Sequence, residues 1–265
     1  MKCSKTIHVG VKHASPNPMT SETPNTNEWR PPPPQPNIAP GEIHVWRIDL
    51  ALPDTAIDLQ FAHLSVDERE RAHRFIFKQD RNRYIAARCA LRQTLGRYLQ
   101  LAPADLQFSY ASHGKPFIKH EGQTQDLRFN LSHSADVALL AIAEALEVGI
   151  DIEQIRDDFP YQEIARQFFT DAEYAQLCAT EPGLRCAIFF DYWTHKEAFI
   201  KASGEGLSYP LNQFEISLHP VAPAKLLSAA GQLPRHSLHT LAPCVGYAGA
   251  LAVLGEFTRV DLWAG

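Results

Sequence analysis

The apolar run Val137–Ala143 is followed, after a four-residue gap, by Val148-Gly149-Ile150-Asp151-Ile152-Glu153, in which apolar and acidic residues alternate. A period of two is the pattern of a strand, so Ile150 and Ile152 face a core while Asp151 and Glu153 share the opposite face. Two carboxylates side by side repel each other unless a cation lies between them. A hard, oxygen-preferring cation meets that need, and magnesium commonly takes one or two carboxylates together with phosphate oxygens. The competing reading is a half-exposed edge strand whose acids are merely solvated. The motif follows an apolar strand and Gly149 rather than a polar loop, which weighs against it.

A second segment, Trp193-Thr-His-Lys196-Glu197-Ala-Phe-Ile-Lys201-Ala-Ser-Gly204-Glu-Gly206-Leu207, reads as a helix ending in Gly-x-Gly. Residues four apart share a helix face, which aligns Trp193, Glu197 and Lys201. Taken alone this is an ordinary amphipathic helix with a Glu–Lys pair. Beside two further acids, the same stripe suits a metal-bound phosphate group. Phe129-Asn130-Leu131-Ser132-His133-Ser134 reads as a polar turn feeding the buried strand, with donors and acceptors suited to phosphate oxygens. Ser112-His113-Gly114-Lys115-Pro116 is a Gly-Pro-punctuated turn that presents a lysine. Either turn by itself is routine.

Together, Gly114-Lys115-Pro116, Phe129-Asn-Leu-Ser-His133, Gly149-Ile-Asp151-Ile-Glu153 and Trp193-x-x-Lys196-Glu197-Ala-x-x-Lys201 resemble the 4′-phosphopantetheinyl transferase family, in its large surfactin-synthetase-activating (Sfp-type) form. The resemblance runs in order from about residue 42 to about residue 255. It implies an enzyme that moves the 4′-phosphopantetheine arm of coenzyme A onto a serine of an apo acyl or peptidyl carrier protein, releasing adenosine 3′,5′-bisphosphate. It implies Asp151, Glu153 and Glu197 as magnesium ligands, with Asp151 also among the catalytic and coenzyme A-contacting residues. Lys201 would hold the pyrophosphate, and Ser132 and His133 the coenzyme A phosphates, with Asn130 and Lys196 in the same contact set. Gly114, Lys115 and Pro116 would lie along the adenine and ribose-phosphate end, with Arg71 as a basic residue for the nucleotide. A serine hydroxyl needs a base within hydrogen-bond reach. Glu197 is the candidate, acting directly or through a metal-bound water. Trp193 is read as packing support, and His195 is given no role.

Charge placement matters more than the formal net charge of −5. Residues 67–97 hold nine Lys or Arg against four acids. Such a stretch suits the coenzyme A 3′-phosphate, an acidic carrier protein, or both, although several of its arginines are expected to be simple surface groups. No aromatic platform or recognition motif accompanies it, which argues against nucleic acid. Five scattered cysteines (3, 89, 178, 186 and 244) without a C-x-x-C pair point to reduced thiols in a cytoplasm and away from zinc. No apolar run reaches the roughly 18 residues of a membrane span, and Met1–Thr20 lacks the apolar core of a secretory signal.

Punctuation divides the chain into residues 1–41, a Pro-rich arm expected to be disordered or extended, an N-terminal half over 42–146 and a C-terminal half over 147–265 carrying the metal site. A first strand is expected near Ile43–Ile48, then helical sequence from the Ser65-Val-Asp-Glu68 capping box to about Leu99, and a strand near Leu106–Tyr110. In the second half, helices are expected from about Tyr161 and from the Thr170-Asp-Ala-Glu173 capping box to about Ala179. Strands are expected near Phe214–Leu218 and Gly246–Leu254, and the run 220–243 is unassigned. The expected fold class is α+β, two pseudo-symmetric α/β halves with the active site in the cleft between them; that architecture rests largely on the resemblance. Smaller carrier-synthase relatives have one half and oligomerise, so a chain with both favours a monomer. Two other readings stand beside the transferase: a magnesium-dependent phosphohydrolase using the same acids, and an inactive relative that only binds carrier proteins or nucleotide. Fatty-acid, polyketide, peptide-synthetase and aminoadipate-pathway carriers all present a similar serine.

Overall fold

Strand alternation organises the molecule, and each sheet uses one face for its twin and the other for a helix. The computed structural model describes residues 28–118, 126–204, 209–219, 222–229 and 236–265. In chain order the elements are β1 (Glu42–Asp49), α1 (Asp54–Phe61), α2 (Val66–His73), α3 (Lys78–Leu99), β2 (Phe108–Tyr110), β3 (Pro116–Ile118), β4 (Leu127–Ser134) and β5 (Val137–Glu144). There follow β6 (Glu147–Gln154), α4 (Tyr161–Phe168), α5 (Asp171–Ala179), α6 (Arg185–Ser203), β7 (Phe214–His219), β8 (Ala222–Ala229), β9 (His236–Leu241), β10 (Tyr247–Leu254) and β11 (Arg259–Ala264).

One sheet has the order β11-β1-β5-β4 and the other β6-β10-β9. In each, the half's first strand pairs antiparallel with its last, which pairs antiparallel with the strand before it. The long helix α3 or α6 intervenes in sequence. The two halves therefore share one topology. Ile43 and Val45 of β1, Leu139 and Ala141 of β5, Val148, Ile150 and Ile152 of β6, and Leu251 and Val253 of β10 form one buried cluster between the sheets. On the outer faces, Trp46, Leu140 and Ile142 pack with Leu91 and Leu95 of α3, and Ala250 and Ala252 with Ala198, Phe199 and Ala202 of α6. The layers run helix, sheet, sheet, helix, as expected when every sheet has an apolar side to bury.

Several expectations need correction. The helical stretch 65–99 is broken at Arg74–Phe77 between α2 and α3. Glu68 does cap α2, accepting from Ser65 N at 3.0 Å, but it also binds Arg88 and, at 2.7 Å, Arg92. Those two arginines of the basic stretch are buried structural partners, because a buried carboxylate must be paired. Residues 28–41 are not a loose arm. Ile38 is buried, Arg30 N bonds Leu262 O at 3.0 Å, and Trp29 Nε1 donates to Ala242 O at 2.7 Å. Residues 1–27 lie outside the described residues. The division at 146/147 is crossed by β11, which runs parallel to β1 in the first half's sheet. The unassigned run contains β8 and β9.

Candidate active site

The site forms where the edge of the first sheet meets the edge of the second. Phe129-Asn-Leu-Ser-His-Ser134 is not a turn but most of strand β4. Phe129 points into the α3 core, and period-two alternation sends Asn130, Ser132 and Ser134 towards β6. Asn130 Oδ1 accepts from Ile150 N at 2.8 Å. Ser132 Oγ donates to Asp151 Oδ1 at 2.8 Å. Ser134 Oγ donates to Glu153 Oε2 at 2.8 Å and accepts from Gln154 N at 3.1 Å. Side chains thus do at this seam what a backbone ladder does inside each sheet. Ser134 was missed by sequence reasoning, although the alternation with Asn130 and Ser132 signals it.

Gly149 brings the helix in. A Cβ there would lie 2.0 Å from Ala198 O and 2.3 Å from Ala202 N, so the α6 backbone rests directly on β6. This close approach sets Glu197 and Lys201 over Asp151 and Glu153. Lys201 Nζ donates to Asp151 Oδ1 at 2.6 Å and to Ser132 Oγ at 3.0 Å. The helix ends at Gly204, whose φ of 73° closes a left-handed cap; Gly206 lies outside the described residues.

Asp151 is 2 % exposed and Glu197 8 %. Burial raises the Glu197 pKa; Lys201 opposes the rise and Asp151 and Glu153 add to it. Glu153 is raised for the same reasons, burial first and then Asp151, against the Ser134 hydrogen bond and Lys201. Three acids therefore share one ammonium. Among the described residues, Asp151 Oδ2 is buried with no hydrogen-bond partner. An all-carboxylate donor set with one orphaned oxygen fits a hard divalent cation. No three His, Cys, Asp or Glu side chains among the described residues are gathered into a ready metal cage, however. The ammonium of Lys201 holds Asp151 here.

The remaining sequence candidates fall in three places. Gly114, with φ of 80°, turns the β2–β3 hairpin, and Pro116 begins β3. Lys115 Nζ reaches the start of β6, bonding Glu147 Oε2 at 2.8 Å and Val148 O at 3.1 Å. His133 is exposed at the far end of the seam, its pKa lowered by partial desolvation and by the nearby cations Lys201, Arg83 and Arg71. Arg71 is itself exposed and lies 5.4 Å over the Tyr84 ring. Lys196 is the exception. It is wholly buried on another side of α6, 2.8 Å from Glu173 Oε2, and donates to Leu211 O at 2.8 Å and Phe214 O at 2.7 Å. One residue is a rotation of about 100° on a helix, which turns Lys196 away from the face that Glu197 shares with Lys201. Trp193 stacks on Phe189 at 5.9 Å as packing.

Residues 54–145 match the model of the 4′-phosphopantetheinyl transferase N-terminal region, and residues 147–252 that of the 4′-phosphopantetheinyl transferase superfamily. The 4′-phosphopantetheinyl transferase HetI of Nostoc sp. is 39 % identical over 235 residues, 89 % of this chain and 97 % of that protein. The 4′-phosphopantetheinyl transferase Sfp of Bacillus subtilis is 36 % identical over 157 residues, 59 % of this chain and 67 % of that protein. A crystal structure of a Bacillus anthracis holo-(acyl-carrier-protein) synthase in complex with coenzyme A covers 42 % of this chain and 99 % of its own, at 19 % identity and a TM-score of 0.37. With both halves matched and one relative aligned along nearly its whole length, the chain belongs to the 4′-phosphopantetheinyl transferases, enzymes that transfer phosphopantetheine to carrier proteins.

Proposed function

We propose that the β4–β6–α6 site takes coenzyme A and a serine of an apo carrier protein, with Asp151, Glu153 and Glu197 holding magnesium. What carries this reading is the lysine-paired group of acids, whose Asp151 Oδ2 has no partner among the described residues. The serine Oγ attacks the β-phosphorus of coenzyme A. The bond from that phosphorus to the bridging oxygen breaks, and adenosine 3′,5′-bisphosphate leaves with the electron pair. The serine proton passes to Glu197, the carboxylate that α6 carries over the acids of β6. Lys201 donates to a pyrophosphate oxygen and offsets charge on the leaving group. Magnesium held by these acids would supply Lewis-acid neutralisation of phosphate charge. Ser132 and His133 hold phosphate oxygens, and the Gly114-Lys115-Pro116 hairpin and Arg71 flank the nucleotide end. Asn130 supports the strand that bears the acids. Such transfer depends on positioning and charge more than on covalent chemistry by the protein. The reading places the protein in the cytoplasm and, with both halves in one chain, as a monomer.

The test is intact-mass measurement of an apo carrier protein incubated with the enzyme, coenzyme A and magnesium. One phosphopantetheinyl addition is expected, lost with chelator and restored by magnesium. Breakdown of coenzyme A without addition would replace the transferase with a hydrolase.

A further inference from the structure

We infer that the exposed apolar tip Phe75-Ile76-Phe77, with its basic flanks, is the surface on which an acidic carrier protein docks to present its serine; the partner's identity rests on the transferase reading. The tip occupies the break between α2 and α3. Phe75 is 37 % exposed, Ile76 90 % and Phe77 69 %. Phe75 leans on Tyr84, ring centroids 5.3 Å apart, while Ile76 and Phe77 stand in solvent. Single exposed apolar residues are ordinary, but a consecutive run on an exposed bend contributes little to folding and marks a contact surface. Phe77 also stands at the N-cap of α3 without a side-chain cap bond, where Ser or Asp would satisfy a first-turn N–H.

Charge and position name the occupant. From Arg71 to Lys78 the sequence holds three Lys or Arg and no acid; Arg71 and Arg74 are exposed, and the exposed Lys78 is paired with Asp54. A partner with an apolar patch ringed by carboxylates complements that surface. The tip is continuous with the site. Phe75 packs on Tyr84, Arg71 covers Tyr84, and the charges of Arg71 and Lys201 both reach His133. A macromolecule delivering a surface serine to Lys201 and Glu197 must rest on the surface beside them, which Phe75, Tyr84, Arg71 and His133 join to the tip. An anionic membrane or a second copy of the chain would not need the tip to adjoin the site.

The test compares wild type with Ile76→Asp and Arg74→Glu, both changes on exposed side chains. Binding of a purified apo carrier domain is measured by fluorescence anisotropy with magnesium and without coenzyme A. Each variant is expected to bind the carrier at least tenfold more weakly, with its melting temperature and coenzyme A affinity kept. In turnover, KM for the carrier should rise about tenfold while kcat holds within twofold. Four results would each overturn the inference. Carrier affinity could stay within twofold of wild type, or coenzyme A affinity could fall in parallel. The tip could bind phosphatidylglycerol vesicles while carrier binding is unaffected, or Ile76→Asp could convert a dimer into a monomer with carrier binding kept. Wild type that binds the carrier through the tip but adds no mass refutes the transferase and leaves the docking surface standing. Mass addition with an unchanged KM in both variants does the reverse.

Discussion

Asp151 carries two oxygens in different circumstances. Oδ1 accepts from Lys201 and Ser132, whereas Oδ2 is buried with no partner among the described residues. Asp151→Asn keeps the shape and the Ser132 contact but removes the charge. Transfer is expected to fall at least about a hundredfold, with a melting temperature within a few degrees of wild type, measured by mass-based kinetics and circular dichroism. Lys201→Met should raise KM for coenzyme A and lower kcat together, since the ammonium faces the pyrophosphate in both ground and transition states. Unchanged kinetics would reduce it to an internal counter-ion for Asp151. The strand acids were legible because alternation fixes which face they share. Lys196 was not. Every residue of α6 from Thr194 to Ile200 is buried, and a helix buried all round offers no polar face to say which lysine points to the site.

At the scale of elements, the joint between β6 and α6 positions the chemistry. A methyl group at Gly149 requires the Ala198 carbonyl to retreat by about 1 Å to escape a contact of 2.0 Å. Gly149→Ala is therefore expected to destabilise by at least ~2 kcal/mol and to cut transfer about a hundredfold, because a shift of that size misplaces Glu197 and Lys201. Urea denaturation and kinetics check both arms; native rates would show that α6 can move without consequence. The other fastening is the Lys196–Glu173 pair, with Glu173 Oε1 also accepting from Ile216 N at 2.8 Å. Lys196→Met leaves the buried Glu173 carboxylate without its counter-ion and should cost about 3–5 kcal/mol. Denaturant midpoints within error of wild type would refute that. Both capping boxes were readable from Ser65-x-x-Glu68 and Thr170-x-x-Glu173, since capping is local. The side-chain stitching of β4 to β6 was not, because pairing partners distant in sequence leave no local mark.

For the whole molecule, two groups on α6 tie stability to pH in opposite senses. Burial lowers the His195 pKa to about 4; the ring donates from Nδ1 to Asp191 O at 2.7 Å and lies 3.1 Å from Thr240 Oγ1. The unfolded chain binds that proton first, so the stability tied to neutral His195 is complete above about pH 6.5 and is lost as pH falls towards 4, roughly 3 kcal/mol in all. Burial raises the Asp191 pKa to about 6, so its penalty is full above pH 6 and relieved as pH falls towards the unfolded value near 3.8. The two trends offset between pH 6.5 and 4. Asp191→Asn is expected to gain about 3 kcal/mol at pH 7.5 and to become steeply acid-sensitive, as read from urea curves between pH 4 and 7.5; a flat profile would rule out this linkage. The strand-and-acid motif and the helix caps were determined by sequence alone, because each depends on neighbours within one or two turns; the bare Gly149 was decided by the approach of α6. The return of β11 to the first half's sheet, the packing of residues 28–41, the seam of Asn130, Ser132 and Ser134 and the face taken by Lys196 were decided only by tertiary structure. Each depends on which surface remains to be covered once the core has closed.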